Sequence, residues 1–241
     1  TFAQVRDYYS EHLHPDRIDL NNQEIYENVF HPGKWAGIFQ FTEPGAQGFC
    51  TKVKPRNIID VSAVTSIFRP GPLSAGVDAD YVEAKQHPQQ IAYLSDEACE
   101  ITQETFGFLI FQEQIALLAH KLGGLTLDEG NMLRKVLTKK GTGKGSVKDK
   151  LHTKFIKGCI TKNIKQDDAQ ALWDKFEYFS GYGFNKSHAV SYSIISFQCA
   201  WLWNYYPAEW LAAFLDKEPE SRKEKAINIA RKFGFAIEPL D

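Results

Sequence analysis

The chain has 241 residues, 43% of them apolar and 24% charged, and a formal net charge of −2. That apolar content is enough for a packed core and excludes a disordered or low-complexity chain. Its four cysteines, Cys50, Cys99, Cys159 and Cys199, lie far apart without a C-x-x-C pair, which excludes a zinc ribbon and a thioredoxin-type redox site and points to reduced thiols in a cytoplasmic protein.

Residues Thr1 to Ser10 are aromatic and charged rather than basic and then apolar, so no secretory leader is expected. The single methionine is Met132, and the sequence reads as a segment of a longer polypeptide. Asn22 is positioned to cap a helix carrying Ile25 and Val29 that stops near Gly33. Strand signals follow at Ala36 to Phe41, and Ile58 to Ile67 fits both the strand and the helix period. Asp78 and Asp80 have the spacing of a metal-binding pair in a strand, but the segment after them has a helical pattern, in which i and i+2 diverge. Short strand signals recur at Phe108 to Phe111 and Phe235 to Ile237. A helix over about Phe111 to Leu122 breaks at Gly123-Gly124, and Thr126 with Glu129 forms a capping box for the next, Leu127 to Thr138. Lys139 to Ser146 reads as a flexible loop; its Gly141 to Gly145 run lacks the glycine spacing and the Ser or Thr of a P-loop.

Asp167 is expected to cap a helix whose one face carries Ala169, Leu172, Phe176 and Phe179. That helix must stop at Gly181-Tyr182-Gly183. The next runs from Ser187 or His188 to Tyr206 and is read as buried, because Ser191, Ser193, Ser196, Gln198 and Asn204 make it too polar to face lipid. Pro207 suits the first turn of a helix over Ala208 to Leu215, and a last helix spans Glu220 to Lys232 before Gly234. The fold class is mainly α, with a few short β-strands near the N-terminal part.

The small net charge hides a segregated distribution. Between Arg134 and Lys165 there are eleven basic residues and one acid, Asp149, which leaves +10, while the other 17 basic and 29 acidic residues carry −12. A block of this kind is an electrostatic footprint for phosphate, and Lys144, Lys148, Lys150 and Lys154 are its candidate DNA contacts. Helical spacing places Lys135 and Lys139 beside the face of Arg134, as a claw for a triphosphate would need. Arg69-Pro70-Gly71-Pro72 makes a rigid corner able to hold one guanidinium toward phosphate. In Tyr182-Gly183-Phe184-Asn185-Lys186-Ser187-His188 a glycine hinge, a group of polar side chains and a helix N-terminus make an anion or base-edge site.

Taken in order, GIFQF, RPGP, FQEQ with the following RK and KK pairs, YGFNKSHA and Tyr206-Pro207-Ala208-Glu209 resemble the C-family of bacterial-type replicative DNA polymerases, the DNA polymerase III alpha subunits. The resemblance runs from about Asn22 to the end. It implies that residues 1–45 connect palm to fingers and that 46–241 form a helical fingers domain that closes on the incoming nucleotide. Arg134 and Lys135 fall where the family keeps two arginines against the triphosphate, and Lys139 and Lys140 on its lysine pair. Arg69, Tyr182, Asn185, Lys186, Ser187 and His188 are placed by it near the nucleotide or primer terminus. Lys135 in place of arginine, Val136-Leu137-Thr138 in place of Ala-Met-Gly, and Phe41-Thr42-Glu43-Pro44 where the family has Leu-Glu-Ser mark a divergent, phage-like member.

The family's chemistry is nucleotidyl transfer with Mg2+ held by three palm aspartates that precede this stretch. The resemblance therefore implies no metal site and no primer extension by this chain alone. The implied partners are primer-template DNA, dNTP, the palm and thumb of the same polypeptide and, through other regions, a sliding clamp, in the cytoplasm of a bacterial or phage-infected cell. The competing reading is a non-catalytic nucleic-acid-binding or adaptor module on the same fold.

Overall fold

The computed structural model describes residues 13–69, 72, 76–138, 145–181 and 183–237. Twelve α-helices occur among them: α1 Gln23–Ile25, continued by a π-helical stretch Tyr26–Phe30, α2 Pro44–Val53, α3 Ile58–Ile67, α4 Val77–Gln86, α5 Asp96–Thr102, α6 Gln112–Lys121, α7 Leu127–Thr138, α8 Gly145–Thr161, α9 Gln166–Ser180, α10 Lys186–Tyr205, α11 Pro207–Lys217 and α12 Glu220–Lys232. No strand occurs among the described residues, and the one trace of pairing is an isolated parallel bridge between Phe111 and Phe184. The expected β-strands are therefore corrected, each for an identifiable reason.

Ile58 to Ile67 is helix α3. Its β-branched residues favour strand locally, but Asn57 Oδ1 caps the Asp60 N–H at 2.9 Å and Asp60 Oδ2 reaches back to the Arg56 N–H at 2.8 Å, two bonds that close the first turn of a helix. At Ala36 to Phe41, Gly37 and Gln40 have φ of 73° and 67°, which no strand accommodates. A Cβ at Gly37 would lie 2.5 Å from the Phe214 ring, so this glycine also allows a close approach. The amides of Ile110 and Phe111 both donate to Gln114 Oε1 at 3.0 Å, which takes them out of any ladder and limits Phe108 to Phe111 to that one bridge. Phe235 packs beside Trp203 and Phe233 in a small cluster with Leu211 and Ala230, without regular structure.

The chain divides into two compact units, residues 1–65 with 190–241, and residues 66–189. The first is built on aromatics: Tyr26, Phe30, Trp35, Phe41 and Phe197 are buried, with neighbouring ring centroids 5.1–6.4 Å apart. Asn22 caps α1 as expected, accepting the Glu24 N–H at 3.1 Å.

The second unit packs α5 to α9 around Leu118, Leu122, Leu133, Phe155, Trp173 and Phe176. The Thr126–Glu129 capping box forms with both bonds, at 2.7 and 3.1 Å. On α9 the face Ala169, Leu172, Phe176 and Phe179 turns into the core, although its N-cap is Lys165 rather than Asp167, which lies in the first turn. A side chain at Gly158 of α8 would run into the Gly123 carbonyl, and one at Gly123 into the Phe155 ring of α8, so both glycines let α8 approach the break after α6. No helix among the described residues is long and apolar enough to cross a membrane.

Candidate functional site

In the second unit, the start of α6 meets the loop before α10. The Phe184 N–H donates to the Ile110 carbonyl at 3.0 Å and the Gln112 N–H to the Phe184 carbonyl at 2.9 Å, which forms the Phe111–Phe184 bridge. Gln112 Nε2 adds a bond to the Gly183 carbonyl at 3.0 Å. The three polar residues that follow Phe111 thus have separate structural tasks. Gln114, 2% exposed, accepts two backbone amides and donates through Nε2 to Thr105 Oγ1 at 2.7 Å and to the Ile101 carbonyl at 3.3 Å. With both its donors and its acceptor engaged, it costs little to bury.

Glu113 faces α10. Its Oε1 accepts from Asn185 Nδ2 at 2.7 Å and lies 3.4 Å from Arg134 Nη1, while Oε2 accepts the Lys186 backbone N–H at 2.9 Å. Asn185 caps α10, its Oδ1 accepting from Ser187 Oγ at 2.6 Å and from the His188 N–H at 2.9 Å. The helix N-terminus that the sequence offers to an external anion is therefore occupied at its first amide by an internal one.

The expected site residues separate into three groups. Arg134, Asn185, Lys186, Ser187 and His188 come together around Glu113. Arg69, two residues past the end of α3, joins them, its guanidinium 4.5 Å over the Phe184 ring and its Nε donating to the Ser66 carbonyl at 2.8 Å; burial pulls its pKa below the ordinary arginine value. The Phe184 ring also packs against His188 at 5.3 Å, so one aromatic side chain supports both. Lys186 turns away from the cluster: both Glu104 oxygens hold its Nζ, at 2.6 and 2.8 Å. Arg134 and Lys135, with Asp128, Asn131 and Met132, line a hollow of about 450 Å³. A larger hollow of about 800 Å³, walled by His87, Tyr93, Phe106, Phe108 and Phe179, shares no residue with this cluster.

Lys148 and Lys154 form a second group. They lie on α8, paired with Glu177 at 2.8 Å and with Glu129 at 2.7 Å, while Lys150 is exposed on the same helix. Acids far away in sequence thus flank a block that has almost none of its own. The Glu129 carboxyl is held below the usual carboxylate range, first by the hydrogen bond from Lys154 and then by the Thr126 amide. Lys139, Lys140, Lys144 and Tyr182, together with Pro70 and Gly71 of the RPGP corner and most of the glycine loop, lie outside the described residues. Glu113 and Gln114 lie in the FQEQ motif but were not read as site residues, and Glu104 was not singled out. The role of Gln114 was findable, since a Gln at N3 of a helix is half of a capping box; the partners of Glu113 and Glu104 lie 72 and 82 residues away, and nothing local marks them.

Comparisons with known proteins identify the family. The profile of the bacterial DNA polymerase III alpha subunit finger domain matches residues 1–163. DNA polymerase III subunit alpha of Campylobacter jejuni is 32% identical over 225 residues, covering 93% of this chain and 18% of its own, and that of Aquifex aeolicus 33% over 225 residues, covering 93% and 19%. The protein of the same name from Halalkalibacterium halodurans is 30% identical over 239 residues, covering 98% of this chain and 21% of its own. The chain thus spans about a fifth of the length of these relatives. With a profile covering more than half of it and relatives matching nearly all of it, the chain belongs to the finger domain family of bacterial DNA polymerase III alpha subunits.

Proposed function

We propose that this chain is the part of a DNA-directed DNA polymerase that grips the triphosphate of the incoming dNTP and lies against primer-template DNA. The observation that carries the reading is that a single carboxylate, Glu113, touches both Arg134 and the Asn185–Lys186 turn, so the one arginine of the basic block and the start of α10 belong to one cluster. A triphosphate needs several positive groups held in fixed geometry, and arginine supplies the bidentate fork that matches phosphate oxygens. In this reading Arg134, Lys135, Lys139 and Lys140 take the phosphates. Arg69, Tyr182, Asn185, Ser187 and His188 face the nucleotide or primer terminus, and Lys186 acts from its pair with Glu104. Lys144, Lys148, Lys150 and Lys154 follow the duplex.

Residues 1–45 would connect to the palm, and 46–241 would form the fingers. The rest of the polypeptide and, through it, a sliding clamp would complete the assembly in the cytoplasm of a bacterial or phage-infected cell. Among the described residues no three His, Cys, Asp or Glu side chains come together to hold an ion; in this reading the Mg2+ ligands are palm aspartates outside this chain. In this reading the chain binds and orients phosphate, through charge placed before the reaction.

The test is Arg134→Ala in the full-length polymerase. The apparent KM for dNTP is expected to rise on the order of 100-fold while primer-template affinity changes by no more than about twofold. The reverse pattern, weaker duplex binding with a reduced salt slope and an unchanged KM, would identify a nucleic-acid-binding module instead.

A further inference from the structure

We infer that Glu113 is a positioning residue for nucleotide binding: its carboxylate ties Arg134 on α7 to the first turn of α10 and holds both in one frame. The inference rests on the reading of Arg134 as a phosphate contact and extends it to a residue of opposite charge, which by itself would repel a triphosphate. Glu113 sits in the first turn of α6, where the reciprocal hydrogen bonds between Phe184 and residues 110 and 112 fix the backbone. Its side chain is 34% exposed and that of Arg134 is 23% exposed, so the pair is partly shielded from water.

The geometry argues for a frame rather than a simple counter-charge. Oε2 is committed to a backbone amide at 2.9 Å and Oε1 to the Asn185 amide at 2.7 Å; both are shorter than the 3.4 Å approach of Arg134. The Asn185 bond also fixes that residue's orientation: with its Nδ2 donating to Glu113, its Oδ1 is directed to Ser187 and His188. Arg134 thus approaches a carboxylate already held by two other donors, one that cannot turn away without uncapping α10. The hydrogen bonds define where the guanidinium rests and leave the longer ion pair as the contact that can be exchanged for phosphate. Misplacing a binding group by about 1 Å can cost on the order of 100-fold in rate.

The experiment is dNTP-dependent primer extension by the full-length polymerase carrying Glu113→Gln, Arg134→Ala, or both. Glutamine keeps the shape and one acceptor but loses the charge and the second acceptor. If Glu113 positions Arg134, Glu113→Gln raises the KM for dNTP on the order of tenfold, leaves primer-template affinity unchanged, and adds little to the effect of Arg134→Ala in the double variant. A KM that is unchanged or lowered in Glu113→Gln while Arg134→Ala raises it overturns the inference and leaves the proposed function intact. An unchanged KM in Arg134→Ala overturns the proposed function and the inference with it. A purely structural role would lower the folded fraction, and so kcat, at constant KM, and that outcome also overturns the inference. Should Glu113→Gln fail to fold, Asn185→Ser keeps a capping hydroxyl for α10 while removing the donor to Glu113; it is expected to raise KM with the same lack of additivity toward Arg134→Ala, and additive effects overturn the inference.

Discussion

The second unit has two ways of accommodating charged and polar side chains, and the contrast explains more than their number does. At the start of α6, Gln112, Glu113 and Gln114 bond to backbone groups and side chains of three other segments, and Gln114 is buried among them. On α8, Lys148 and Lys154 reach acids on neighbouring helices across half-exposed surface. The first arrangement fixes backbone and leaves little to solvent, so removing a member strands its partners. The second is a set of surface ion pairs, each worth about 0–1 kcal/mol and weakened by salt. A sequence read by charge alone emphasises the second and overlooks the first.

The contrast fails if the two regions respond alike to substitution. Gln114→Leu deprives the Ile110 and Phe111 amides of their acceptor and Thr105 of a partner in a closed site, so a loss of about 3–5 kcal/mol is expected, read from urea unfolding followed by tryptophan fluorescence. A loss below about 1 kcal/mol would show that water replaces the amide and that this network is no stiffer than the surface.

Gly158→Ala tests the packing that brings α8 to the turn after α6. Its added methyl meets the Gly123 carbonyl, a backbone atom that can yield only by moving the helix, and a loss of about 1–3 kcal/mol is expected in the same measurement. Retained stability would mean that α8 slides freely, which would also loosen its lysines. The smallest effect belongs to Lys154→Ala: a stability change within about 0.5 kcal/mol, and a duplex salt slope in the full polymerase reduced by less than one phosphate contact, since part of the lysine's charge is engaged by Glu129. A loss of a full unit of slope would show that Glu129 releases Lys154 to DNA.

The sequence by itself determined the α class, the helices at Leu127–Thr138 and Glu220–Lys232, the capping box at Thr126 and Glu129, and the apolar face of α9, because each depends on residues within a few turns of one another. It also picked out most of the described side chains that gather around Glu113, because glycine, asparagine and basic residues in a tight run constrain local backbone and charge at once. The tertiary structure alone decided which of them have a partner. Lys186 is held by Glu104, the first amide of α10 is held by Glu113, and Lys148 and Lys154 of α8 are matched by acids from α9 and α7. It also decided that Ile58 to Ile67 is a helix and that Phe108 to Phe111 gains only a single bridge. The physical reason is one of range: caps and periodicity act over four to seven residues, whereas burial and ion pairing depend on what the folded chain brings back from 70 or 80 residues away.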